Sequence, residues 1–269
     1  MPKNLIYTVA FDAEGYRGAR TMAKILVSSL LRTMWSGDII VFSNSPIPMF
    51  PVGRPGLQEV YCKQPTWKID QPNNVTECLN KSLEWRFKSH HLIETKGYDK
   101  IIYLDCDCLC LRNLDHLFAN DWDVLVQREK GRSIQDRVFS GYLSNKELSE
   151  LSCDGINAGT IAVKASLFHE FMKSWQKAYE ASPSQHEEFR DQTALNRLIL
   201  DLDLRVKDFE RGEVCFPFHI DTHYRDFRDA ALLHMVGEGQ REKIDFAFAF
   251  YMAAFFNDGQ GVFLDFLEM

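Results

Sequence analysis

With 269 residues, 45% hydrophobic and 26% charged, the chain has the composition of a soluble globular protein able to bury a large α/β core. A net charge of -7, with no basic stripe or tail to offset it, excludes a nucleic-acid partner. An anionic ligand must then be held by a local device: a metal, a helix N-terminus or a few placed Lys and Arg.

Leu5 to Phe11 reads as a first strand, and nothing basic or cleavable precedes it, so no signal peptide is expected. Apolar or small residues at Met22, Ile25, Leu26, Ser29, Leu30 and Thr33 predict a helix over residues 17–32. Asp38 to Phe42 is a second strand, closed by the turn signal Ser43-Asn44-Ser45-Pro46. Residues 46–75 hold six of the nine prolines and read as a long surface excursion, with a short strand near Glu59 to Cys62. Leu79, Leu83, Phe87 and His91 form the stripe of a helix over 79–95 that Gly97 stops. Strands follow at 100–104, 122–127 and 160–163, then a helix capped by Ser166 that runs to Glu180, and another over 188–200. This alternation predicts an α/β fold with a mostly parallel central sheet flanked by helices. No linker divides it, so one domain is expected over 1–269, taken in three stretches: 1–110, 111–245 and an apolar extension (246–269). The run Phe246 to Phe256 falls far short of the ~20 residues of a membrane helix. It is expected to be a buried terminal helix or strand, the alternatives being a dimer contact or peripheral membrane contact.

The run Ile101-Ile-Tyr-Leu-Asp105-Cys-Asp107-Cys-Leu-Cys110 is apolar until two aspartates interrupt it. In an extended strand Asp105 and Asp107 project on one face, and a hard divalent cation bridging to phosphate oxygens relieves their repulsion. Cys106, Cys108 and Cys110 fall on the opposite face. One straight strand cannot wrap a tetrahedral ion with three sulfurs, so they are read as small core residues in a reducing, cytoplasmic setting. An Asp-x-Asp at a strand end also opens the haloacid dehalogenase phosphatases. Those carry the motif near the N-terminus and a later Asp-Asp pair, which this chain lacks.

Five short blocks, in order, make the chain resemble the GT-A-fold glycosyltransferases, most closely the retaining glycogenin-like and bacterial galactosyltransferase group, glycosyltransferase family 8. They are Thr8 to Ala19 with Tyr16, Arg86-Phe-Lys88, Asp105-Cys-Asp107, Asn157-Ala158-Gly159 and Asp191-Gln192; Leu232-Leu-His234-Met-Val-Gly237 follows them. The resemblance implies a GT-A (Rossmann-like) domain, with a nucleotide-binding half over 1–110 and a donor-sugar and acceptor half over 111–245, that moves a sugar from a nucleotide-diphosphate sugar, a UDP-hexose, to an acceptor hydroxyl with retention. It implies that Asp105, Asp107 and His234 hold Mn2+ or Mg2+. Thr8, Ala10, Phe11 and Tyr16 would hold the base. Lys88, with Arg86 as the second choice, would reach the nucleotide or donor sugar. Asn157, Asp191 and Gln192 would shape the reacting sugar, with Ala158, Gly159 and Gly237 allowing close backbone approach. Two departures stand out. The family's Lys-Pro-Trp is replaced by Glu238-Gly-Gln-Arg241-Glu-Lys243, and the nearest acid after the strand at 122–127 is Glu129 rather than the family's Asp. A module that binds a nucleotide-sugar without transfer is the competing reading.

Overall fold

The computed structural model describes residues 3–12, 18–47, 55–62, 83–141, 143–181, 190–210, 212–218, 230–236, 242–247 and 249. Strand β1 (Lys3–Ala10) leads to helix α1 (Ala19–Arg32), then β2 (Asp38–Ser43) and β3 (Leu57–Tyr61). Residues 83–88 are helical, and β4 (Tyr98–Leu104) and β5 (Cys108–Cys110) follow. Next come β6 (Val124–Ser133), the short helices α2 (Arg137–Ser140) and α3 (Asn145–Glu150), and β7 (Asp154–Lys164). Helices α4 (Phe168–Glu180) and α5 (Arg190–Asp201) precede β8 (Val206–Asp208), β9 (Val214–Cys215) and β10 (Leu232–His234).

Seven strands form one sheet in the order β3-β2-β1-β4-β7-β6-β8, and β5-β10-β9 form a second. Strand β7 is antiparallel to both neighbours, β4 and β6, which therefore run the same way; β3 is parallel to β2 and β8 to β6. The expected α/β layering with a largely co-directional sheet is what the residues build.

The chain divides into two compact units. One comprises residues 1–6, 83–104 and 120–209. In it, α5 is pinned to β7 by Asn196, fully buried, whose Oδ1 accepts from Ile156 N (2.8 Å) and whose Nδ2 donates to Ile156 O (2.9 Å). A buried side chain thereby takes over both backbone groups of one strand residue. A satellite cluster of Ile134, Phe139 and Leu143 packs beneath it with Val138, Leu148 and Leu151. The other unit comprises 7–82, 105–119 and 210–269. Its core joins Met22 of α1, Leu109, Cys215, Leu233, Met235 and Ala247, with Ile25, Phe218, Ile244 and Phe246 against them. The buried face of α1 (Ala19, Met22, Ala23, Leu26, Val27, Leu30) follows the three-and-four spacing of a helix packed on one side. Gly18 opens α1 with φ 138°, and Asp12 Oδ1 accepts from its N–H at 3.1 Å.

Boundaries differ from expectation in several places. The strand expected at 160–163 is β7, eleven residues long, and it contains the Asn157-Ala158-Gly159 block rather than following it. Helix α4 is entered at Leu167 with no side-chain cap, so Ser166 does not play the capping role. The helix expected over 79–95 gives way to a 3-10 turn at Ser89–His91. Residues 63–82, Tyr16, Gly237, Arg241 and the run after 249 lie outside the described residues.

Candidate active site

The acidic pair does not sit on one straight strand. Strand β4 ends at Leu104 and β5 begins at Cys108, and the chain turns between them, Cys108 N donating to Asp105 O at 3.1 Å. The turn still unites the aspartates. Asp105 Oδ2 lies 3.5 Å and Asp107 Oδ1 3.4 Å from one atom, His234 Nε2. His234 gets there because β10 pairs antiparallel with β5, His234 opposite Cys108, and Met235 N donates to Asp107 O at 3.1 Å. The imidazole is 2% exposed while the carboxylates are half-buried.

Burial disfavours a charged imidazole here, but the two carboxylates outweigh it and push His234 up to about 9. Asp107 is held below its ordinary range: burial opposes its charge, while Lys243 and His234 favour it. Lys243 Nζ sits 2.7 Å from Asp107 Oδ2, so the carboxylate already carries a cationic side chain. Asp107, Cys108 and His234 each offer a ligand atom within 4.8 Å of one another. Oxygen, nitrogen and sulfur donors converging on one point, with Asp105 beside them, fit a divalent cation. Coordination there needs a neutral imidazole, so loading an ion expels the proton that the carboxylates now hold on His234.

The residues expected around the sugar gather in the other unit, at a break in β7. Val126 pairs with Ile161 but the next residue, Gln127, pairs with Asn157, so Ala158, Gly159 and Thr160 have no β6 partner in the ladder. Such bulges re-aim backbone and side chains. Side chains take up the released donors: Gln192 Oε1 accepts from Ala158 N (3.2 Å), and Asn157 Oδ1 accepts from Gly159 N (2.8 Å). Asn157 Nδ2 donates to Glu129 Oε1 at 2.7 Å, which fixes the amide at both ends. Gln192 has no protein partner for its Nε2 among the described residues.

Asp191 is buried, and its Oδ2 lies 2.5 Å from Arg86 Nη1. Arg86 also stacks over Tyr103, 4.3 Å from guanidinium to ring centroid, and Trp175 Nε1 donates to Asp191 O at 2.9 Å. Lys88, preferred over Arg86 from sequence, lies on the wet face paired with Glu84. Arg86 is the buried member of the two and meets a candidate catalytic side chain, Asp191, while Lys88 is the exposed one. Thr8, Ala10 and Phe11 are all buried at the end of β1, so their side chains line the core. The hydroxyl of Thr8 has no hydrogen-bond partner among the described residues.

Sequence reasoning gave no role to Glu129, which is 1% exposed and also pairs with Arg132, and it set Cys108 aside as filler. It also passed over Asn196, although a polar residue among Leu195, Leu198 and Ile199 is a signal that its amide is bonded inside.

Three solved structures share this architecture. The chain aligns over 95% of its length with the apo structure of WbbM, a bifunctional glycosyltransferase, at a TM-score of 0.60 and 14% identity. The galactosyltransferase LgtC in complex with donor and acceptor sugar analogues aligns over 91% of this chain and 95% of its own, at a TM-score of 0.58 and 15% identity. An active-site mutant of LgtC aligns over the same shares, at 0.57 and 14%. The fold is that of the GT-A glycosyltransferases. This GT-A chain spans 50% of the length of WbbM. No protein-family model matches it. No curated protein matches it in sequence either.

Proposed function

We propose that the chain is a glycosyltransferase that moves a sugar, with retention, from a nucleotide-diphosphate sugar to an acceptor hydroxyl and depends on a divalent cation. The donor we assign is a UDP-hexose. The observation that carries the reading is the convergence of Asp105 and Asp107 on His234 Nε2, within 3.5 Å each. The GT-A fold supports it, since two of the similar structures are of a galactosyltransferase, one of them with donor and acceptor sugar analogues bound.

Asp105, Asp107 and His234 would hold Mn2+ or Mg2+. When bound, the ion supplies Lewis-acid stabilisation of the negative charge that develops on the departing diphosphate. Lys243, 2.7 Å from Asp107, places a second positive charge at the same spot and takes the diphosphate role left open by the missing Lys-Pro-Trp. Gln192, whose Nε2 has no partner among the described residues, donates to the donor sugar. Asn157 holds the bulge in the shape that lets Ala158 and Gly159 approach the sugar. Asp191, anchored by Arg86, sets negative charge near an oxocarbenium-like centre. In this reading the backbone of Thr8, Ala10 and Phe11, whose side chains are buried, and the ring of Tyr16 would meet the base.

The test is UDP release from UDP-glucose and UDP-galactose with Mn2+. Asp107→Asn is expected to abolish it, and so is EDTA in the parent protein; full activity in either condition overturns the proposal. Asn157 and Asp191 are both already engaged by protein partners, and this favours the second reading, a module that binds without transfer. Calorimetric binding of UDP-sugars with no release of UDP would select it.

A further inference from the structure

Three cysteines surround the acidic pair, and the structure treats them differently. Cys110 Sγ donates to Arg112 O (2.9 Å) and lies 3.2 Å from Thr33 Oγ1, so it is engaged on the far side of β5. Cys106, in the turn, packs on the core around Met22 and Leu109. Cys108 alone is set directly across the antiparallel ladder from His234, and directly opposed residues of such a ladder share a face. Its Sγ lies within 4.8 Å of ligand atoms of both Asp107 and His234.

We propose that Cys108 supplies a thiolate ligand to the cation seat of Asp107 and His234, so that the seat prefers a borderline or soft divalent ion such as Zn2+ or Co2+ over Mg2+. The inference rests on the metal seat of the proposed function and names the class of ion it takes. Ligand atoms of a tetrahedral ion stand about 3.3–3.8 Å apart, given bonds of about 2.0–2.3 Å. Asp107 Oδ1 and His234 Nε2 already stand 3.4 Å apart, so only the sulfur, within 4.8 Å of ligand atoms of both, has to close, by about 1 Å and within the reach of side-chain rotation. Cys108 is 0% exposed and His234 2%, and the Phe216 ring centroid stands 5.6 Å from the imidazole. The sulfur and nitrogen are therefore shut off from water, where a soft ion loses little by shedding its own, while the Asp105 and Asp107 side chains keep 29% and 15% exposure. Binding is an exchange: the metal–sulfur bond forms, the S–H bond breaks, and its proton leaves to solvent. Mg2+, which demands six hard oxygen donors, gains nothing from the sulfur.

Titrating the whole chain with Co2+ tests this directly. A thiolate-to-cobalt charge-transfer band in the near ultraviolet is expected in the parent protein. Cys108→Ser should lack the band and bind Co2+ and Zn2+ more weakly by about tenfold or more, since even loss of an outer-shell partner costs about 10–100-fold. Its Mg2+ affinity should not change. Co2+ binding without the band, no Co2+ binding at all, or undiminished Zn2+ affinity in Cys108→Ser each overturns the proposal. The parent spectrum needs no variant, so a folding defect in Cys108→Ser cannot mask the result. Mn2+-dependent UDP release without the cobalt band ends this inference and leaves the transferase reading standing; the band without UDP release does the reverse.

Discussion

Arg86 and Asp191 show how much one buried pair carries. The guanidinium is 5% and the carboxylate 11% exposed at the side chain, and they meet at 2.5 Å. A pair this dry contributes little net stability compared with apolar residues, but removing one partner strands the other's charge. Arg86→Met is therefore expected to destabilise the fold by about 3–5 kcal/mol, read as a lower urea midpoint. Lys88→Met removes only an exposed pair and should shift the midpoint by less than about 1 kcal/mol. Equal losses in the two variants would contradict the burial-based ranking. The same comparison shows why sequence could not rank the two neighbours by burial. Arg86 and Lys88 lie two apart, so a helix turns them to different faces, and only the packing against Tyr103 and Trp175 says which face is inside.

At the level of elements, β7 carries the Asn157-Ala158-Gly159 block and its break, and its entry is tightly constrained. A Cβ on Gly155 would lie 2.1 Å from Cγ of Phe139, a fully buried ring in α2. Gly155→Ala should cost about 1–3 kcal/mol through overpacking, and Phe139→Leu in the same chain should recover part of it. Denaturation of the single and double variants checks this; an additive loss would show that the ring is not what the methyl meets. The elements themselves were largely readable from the chain. The i, i+3, i+4 pattern of α1 and the apolar runs of β1, β2 and β4 are periodicities that local physics enforces. What escaped was created by pairing. The three-residue slip at Asn157 and the break between Leu104 and Cys108 exist only because particular strands lie alongside, and no local signal announces them. The site divides in the same way. The acidic pair, His234 and the Asn-Ala-Gly block could be picked out by residue type and order. Glu129 and Cys108 become interesting only once β6 meets β7 and β5 meets β10.

Across the molecule, protonation is the lever that acts on many sites at once. His90 is buried, with Nδ1 on Phe87 O, and its pKa is lowered: burial is the main cause, the Phe87 bond opposes it, and the nearby His91 and His169 add to the lowering. Unfolded histidine titrates near 6.5, so below that pH the unfolded chain binds a proton that the folded chain resists. Stability then rises with pH across this window and falls on acidification. A second group of losses comes lower. Glu147 is pushed down to about 2 by the hydroxyl and N–H of Ser144 and by Arg197, and Asp123 to about 2 by Arg205. Depressed carboxylates stabilise above their unfolded values of about 4 and lose that contribution as pH falls towards about 2. Urea midpoints are therefore expected to decline in two stages, one from about pH 6.5 and one from about pH 4. His90→Gln should flatten the first stage and leave the second; Glu147→Gln should soften only the second. Both side chains belong to the unit of residues 1–6, 83–104 and 120–209, so native-state hydrogen exchange should show the acid-induced loss there first. His234, held up to about 9, gains stability as pH falls towards 6.5 and opposes this loss, so the variant decides: a His90→Gln variant with an unchanged first stage would mean that the buried imidazole is not the group being titrated.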